Sequence, residues 1–262
     1  VPEGDVVWNT ARRLREALAG RVLTRSDFRV PRYATADLRG RAVLDVASRG
    51  KHLLVRVEGG ATIHVHLLMD GEFRVRPAGP PPRGHRVRLV LANEEFQAVG
   101  SSLGILELLP TADEDRVVGH LGPDLLDPGW DAALRDEAVR RLAERPERPI
   151  GEAVMDQTRL AGIGNVYKSE LLFLRGVQPW TPVADVADLP GLVDLAHRLL
   201  DANKARHGHI TTGDRRPGRE HWTYGRYDRP CRRCGTRVRR AYQPSEAGDR
   251  STYWCPRCQP ER

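Results

Sequence analysis

The chain has 262 residues, 40% of them hydrophobic and 29% charged, with 42 Lys and Arg against 35 Asp and Glu. That balance suits a globular protein with one large or two modest cores, and excludes a disordered or fibrous chain. The longest apolar runs, such as Leu171-Leu172-Phe173-Leu174, are far too short to cross a bilayer, and no basic stretch followed by an apolar one opens the sequence. An intracellular protein without a membrane partner is therefore expected.

In chain order, residues 4–18 place Val7, Ala11, Leu14 and Leu18 at i, i+4, i+7 and i+11, one apolar helix face closed by Gly20. From residue 22 to about 109 the pattern changes to short β-rich runs at 41–47, 52–57, 61–67, 72–76, 87–91 and 103–109. Glu58-Gly59-Gly60 and the Pro/Gly-rich stretch 77–84 supply turns between them. Six such strands beside one helix predict a β-sandwich. Beyond Pro110 the chain turns helical, at 131–144, 150–159, 166–175 and 189–207; in the last, Leu192, Leu195, Ala196, Leu199 and Leu200 form a core-facing stripe. The fold class is α+β. Residues 1–112 form the β-sandwich domain, 113–128 a linker, 129–225 a helical domain and 226–262 a ribbon, with a ligand cleft expected between the halves.

Charge is distributed unevenly. Residues 204–262 carry 15 Lys and Arg against 6 Asp and Glu, so the rest of the chain is slightly acidic. The basic segment is interleaved with Trp222, Tyr224, Tyr227, Tyr242, Tyr253 and Trp254, which fits a polyanion such as a nucleic-acid backbone better than a solvated surface.

The four cysteines all lie in that segment. Cys231-Arg-Arg-Cys234 and Cys255-Pro-Arg-Cys258 are separated by twenty residues, the length of a β-hairpin. Two Cys-x-x-Cys pairs at this spacing predict one zinc ion in a tetrahedral thiolate site. Redox dithiols are the alternative, but they belong in a βαβ setting that the surrounding sequence lacks. Four thiolates leave no open coordination position, so the zinc is structural and the chemistry lies elsewhere.

Pro2-Glu3-Gly4-Asp5 taken alone reads as an ordinary helix start, with proline and acids suited to its N-terminus. Read with other segments it means more. These are Arg49-Gly50-Lys51-His52-Leu53-Leu54, His66-Leu67-Leu68-Met69-Asp70-Gly71, Leu121-Gly122-Pro123-Asp124, Asp156-Gln157, Leu160-Ala161-Gly162-Ile163-Gly164-Asn165, and the ribbon with Arg250 ahead of Tyr253-Trp254-Cys255. In this order they resemble the formamidopyrimidine-DNA glycosylase/endonuclease VIII family of base-excision repair enzymes over essentially the whole chain. The resemblance points to the endonuclease VIII branch and its actinobacterial-type members.

That resemblance implies a helix–two-turn–helix fold for the helical domain and a bifunctional DNA glycosylase/AP lyase. Pro2, once the residue before it is removed, would be the secondary amine that attacks the sugar C1′ and forms a Schiff base. Glu3 would shuttle protons beside it. Lys51 would assist electrostatically near the sugar and its phosphate. Met69 would fill the space of the extruded base, although an ordinary core methionine fits the same sequence. Asn165, at a glycine-rich turn before a helix, and Arg250, in the ribbon hairpin, would hold phosphates, with Arg232, Arg233, Arg239 and Arg240 as peripheral charges. The loop 205–224, with Gly208, Gly213 and Gly218, is a candidate cover for the flipped base. The implied partner is damaged, double-stranded DNA, met by a monomer in a bacterial cytoplasm.

Two features depart from the family pattern. Where the purine-directed branch has a Pro-Arg-Arg-Phe-Gly-type segment, this chain reads Val99-Gly100-Ser101-Ser102-Leu103-Gly104, which favours oxidised pyrimidines as substrates. Val1 stands where the family has an initiator methionine. We read it as an alternative start codon, decoded as methionine and removed, because a retained residue would leave Pro2 an amide nitrogen. Two other readings remain at this point: a non-catalytic damaged-DNA binder of the same fold, and a zinc-ribbon protein of transcription or translation. The second leaves Pro2-Glu3 and the turn 160–165 unexplained.

Overall fold

A computed structural model describes residues 2–206, 208–245 and 248–261. Val1, and with it the question of its removal, lies outside the described residues, as does His207. The chain divides after His120 into two compact units.

The first unit opens with helix α1 (Gly4–Leu18), which buries Val7, Ala11, Leu14 and Leu18 as the apolar spacing requires. Gly20 ends it in the left-handed region at φ 74°, where its N–H reaches the carbonyl of Val43. Two antiparallel four-stranded sheets follow. One has the order β1 (Arg25–Phe28), β6 (Val87–Ala92), β7 (Phe96–Ser101), β5 (Glu72–Pro77); the other has β2 (Val43–Arg49), β3 (His52–Val57), β4 (Ala61–His66), β8 (Ile105–Pro110). Between them and α1 lies one core, with Leu53, Val55, Ile63 and Val65 on one side and Phe28, Phe73, Leu89 and Leu91 on the other. Burying one face of each sheet leaves the opposite face free to be polar. On the second sheet it carries Arg56, Thr62, His64 and Glu107. Arg56 and Thr62 are bonded to Glu114 at 2.9 and 2.7 Å, from the short helix α2 (Asp115–Val118) region.

Strands β1 and β7 add to the six that the sequence predicts. In β1 only Phe28 is buried, so no alternation is visible. β7 contains Gly100, where a Cβ would meet the Phe73 ring and Leu103 at 2.8–3.0 Å, so close packing rather than β-propensity selects its residues. The segment 99–104 is thus the end of a strand and a turn.

The second unit carries helices α3 (Ala132–Ala143), α4 (Ile150–Ala153), α5 (Asn165–Arg175) and α6 (Leu189–Asn203), then the hairpin β9 (Arg239–Gln243) and β10 (Arg250–Trp254). Helix α4 is shorter than the 150–159 expected. Asp156 Oδ1 takes the N–H and hydroxyl of Thr158, and Gln157 bridges the carbonyls of Met155 and Ile163 while accepting from Gly162 N–H. These side chains offer the backbone better partners than a helix would, and residues 154–164 become a run of turns. Helix α6 stops at Asn203 for the same reason, since that side chain bonds Ile210 through both its oxygen and its nitrogen. No helix among the described residues is long and apolar enough to cross a membrane.

Candidate functional site

At the start of α1, Pro2 is half-buried and Glu3 is the N-cap residue, with its carbonyl accepting from Val7 N–H at 3.1 Å. The Glu3 side chain is fully buried at the N-terminal end of α1.

Lys51 occupies the two-residue turn Gly50-Lys51 that joins β2 to β3, with Arg49 and His52 paired across it and Gly50 at φ 56°. Four imidazoles cluster beside this turn: His52, His64, His66 and His120. Burial, then the neighbouring imidazoles and Lys51, push His52 down to about 3. Burial and the Lys51 charge push His66 down to about 4. Beside Lys51 the His52 and His66 rings are therefore neutral at physiological pH.

His66 also anchors the next turn, because its Nδ1 accepts from Leu68 N–H at 3.0 Å. Leu68 is left-handed at φ 53°, Gly71 N–H returns to Leu67 O at 3.0 Å, and a Cβ on Gly71 would come within 2.4 Å of that oxygen. This built turn holds Leu68 and Met69 outward, 46% and 50% exposed. Met69 is thus not a core methionine, which removes that alternative.

In the second unit, one face of α5 is bolted to β10. Asn165 Nδ2 donates to Ser251 O at 2.7 Å, Lys168 Nζ to Thr252 Oγ1 at 2.7 Å, and Thr252 in turn to Gln243 Oε1 at 2.9 Å. Residues 165, 168 and 169 share a helix face, and Ser169 Oγ adds a contact to Tyr253 N–H. The glycine-rich turn and Arg250, which opens β10, are consequently held in one rigid frame.

Sequence reasoning missed Glu170. It is fully buried and accepts the backbone N–H groups of Trp222, Thr223 and Tyr224 at 2.7–2.8 Å, along with the Thr211 hydroxyl. The available signal was an acid directly before the apolar run Leu171-Leu172-Phe173-Leu174. Arg232 and Arg233, expected as peripheral or solvated charges, are exposed and also make contacts within the chain. Arg232 donates to the carbonyls of Gly218 and His221, and Arg233 lies over the Phe173 ring at 4.5 Å. Both fasten the loop 208–224, while Gly208, Gly213 and Gly218 keep positive φ with open space around them.

The four cysteine sulfurs lie within 4.8 Å of one another, and none is in a disulfide. The Cys231–Cys258 and Cys234–Cys255 separations are 4.0 and 3.4 Å. They bracket the edge of roughly 3.8 Å expected of a tetrahedron with Zn–S bonds of about 2.3 Å. An all-thiolate donor set of this size fits zinc, and the pairs pack against Phe173, Trp222 and Tyr253.

Comparison with known proteins agrees with this layout. Residues 1–100 match the formamidopyrimidine-DNA glycosylase N-terminal domain, 121–198 its H2TH domain, and 229–260 the zinc finger found in FPG and IleRS. A probable endonuclease 8 2 from Streptomyces coelicolor is 56% identical over 99% of this chain and 94% of its own length. The chain belongs to the formamidopyrimidine-DNA glycosylase/endonuclease VIII family. Within it, a DNA-(apurinic or apyrimidinic site) lyase from Mycolicibacterium smegmatis is 48% identical over 99% of both chains. The formamidopyrimidine-DNA glycosylase of Salinispora arenicola reaches 33% over 99% of this chain and 93% of its own. The endonuclease VIII branch is therefore the nearer of the two, as the motifs imply. The fold is that of Lactococcus lactis Fpg in complex with abasic-site DNA, with a TM-score of 0.82 over 99% of this chain and 100% of that one, at 22% identity.

Proposed function

We propose that this chain is a bifunctional DNA glycosylase and AP lyase that removes oxidised pyrimidines from double-stranded DNA as a monomer. The observation that carries the reading is the fully buried Glu3 carboxylate beside Pro2, in a chain of this family. A free α-amine titrates near ~8 and is disfavoured as a cation at a helix N-terminus, so Pro2 has usable free base at neutral pH. Its nitrogen attacks C1′, the glycosidic bond breaks, and the base leaves with a proton. Glu3 manages that proton and those of sugar-ring opening. The resulting iminium acidifies C2′–H, and loss of that proton expels the 3′ phosphate, cutting the strand.

Lys51 adds positive charge near the sugar and phosphate. Met69, exposed on its turn, fills the gap left by the flipped nucleotide. Asn165 and Arg250, held in one frame by the α5–β10 bonds, take the flanking phosphates. One zinc ion on Cys231, Cys234, Cys255 and Cys258 is structural, because its four positions are filled. The stretch 99–104, which lacks the arginine and aromatic of the purine-directed segment, supports the pyrimidine preference.

The test is a duplex carrying one dihydrouracil. Wild type should release the base and cut the strand, while Glu3→Gln should bind abasic duplex normally and excise the base at least about a hundredfold more slowly. Tight binding by wild type without cutting would instead support a non-catalytic damaged-DNA binder.

A further inference from the structure

The imidazoles beside Lys51 are wired in one direction. On the outer face of the β3–β4–β8 sheet, His64 is the register partner of Glu107, and His52 that of His66. With a period of two along each strand, His52, His64, His66 and Glu107 all project from this face. His64 Nδ1 lies 2.9 Å from a Glu107 carboxylate oxygen, and His64 Nε2 lies 2.8 Å from His52 Nδ1. The ring planes of His52 and His64 are within 14° of each other, so the hydrogen can point along the in-plane lone pair. His64 is 3% exposed, whereas Glu107 reaches solvent.

A carboxylate only accepts hydrogen bonds, and a neutral imidazole has one N–H and one lone pair. Glu107 therefore draws the His64 proton to Nδ1. In the neutral His64 ring Nε2 is then a lone pair, and the hydrogen it shares with His52 belongs to His52 Nδ1. That leaves His52 Nε2 unprotonated. His66 is set separately, because its Nδ1 accepts from Leu68 N–H and any proton it carries is on Nε2. The charged and titratable groups facing His52 are Lys51 on its own turn, His64 and His66 on β4, Glu107 through His64 from β8, and His120.

We infer that Glu107, His64 and His52 form a directional hydrogen-bond chain that presents the lone pair of His52 Nε2 to the surroundings of Lys51, making His52 a positioning residue for that ammonium. A lone pair there favours Lys51 in its charged form without adding a second positive charge. A ring carrying Nε2–H would present a donor in place of that lone pair. The functional half of this inference rests on the reading of Lys51 as part of the active site.

Two measurements test it. In 15N-histidine spectra of the full chain at pH 8, assigned by single substitutions, wild-type His52 and His64 should carry their protons on Nδ1. Glu107→Leu should move both toward the Nε2–H form and slow borohydride trapping on an abasic duplex about tenfold, as loss of one charge-assisted hydrogen bond would, with binding unchanged. Glu107→Gln, whose amide oxygen can still accept, should keep the wild-type tautomers and trap within about threefold of wild type. A proton on His52 Nε2 in wild type would overturn the chain, as would Glu107→Leu leaving tautomers and rate unchanged. Lys51→Ala is the separate control. Trapping at the wild-type rate by that variant would refute the active-site reading of Lys51, and the spectra alone would then decide the chain.

Discussion

Glu3 and Glu170 are both fully buried acids, and their surroundings give them different work. Glu3 stands at the head of α1 beside the proposed nucleophile. Glu170 gathers three consecutive backbone N–H groups and two hydroxyls, fixing the chain at Trp222–Tyr224 on α5. Buried donors stripped of their acceptor cost roughly 1–3 kcal/mol each, partly recovered by water entry. Glu170→Ala should therefore destabilise the second unit by about 3 kcal/mol and speed proteolysis near Trp222, read by urea titration and mass mapping of the first cuts. Wild-type protease resistance would refute this account. Pro2, Glu3, Lys51, Met69, Asn165 and Arg250 enter as proposed site residues because short ordered motifs of the sequence carry them. Glu170 and the Glu107–His64–His52 chain were not legible there, because their partners lie 12 to 54 residues away and only strand register or helix packing brings them together.

Elements whose hydrophobic period decides their structure were read well. Helix α1 has the predicted bounds, and strand β3 spans the predicted residues. The failures share a cause: local polar side chains or close packing overrode the pattern. Asp156 and Gln157 cut α4 short, and Gly100 hides β7 from a search for β-branched alternation. The ribbon hairpin shows the reverse dependence, since its strands are short and its register with α5 is set by Asn165, Lys168 and Ser169. So small an element needs its metal to persist. Metal analysis should find one zinc per chain. Either its removal by a strong chelator or the change Cys255→Ser should abolish binding to abasic duplex while the circular dichroism of the β-sandwich persists. Full binding by the metal-free protein would contradict the assignment.

Across the whole molecule, the proposed chemistry and the proposed grip on DNA are separated along the chain. The proposed reacting groups lie in the first unit, whereas the basic excess is confined to residues 204–262. Some of those arginines are engaged within the fold, as Arg232 and Arg233 are. Arg250→Ala should weaken abasic-duplex binding and reduce the slope of log K against log salt by about one, measured by titration at several salt concentrations. An unchanged slope would remove Arg250 from the phosphate contacts. The central claim concerns the other end of the chain. Borohydride reduction of the natively expressed protein on an abasic duplex, followed by digestion and mass spectrometry, should place a single sugar adduct on a peptide that begins with Pro2. An adduct on Lys51, or a chain that keeps a residue before Pro2 and forms no adduct, would contradict it.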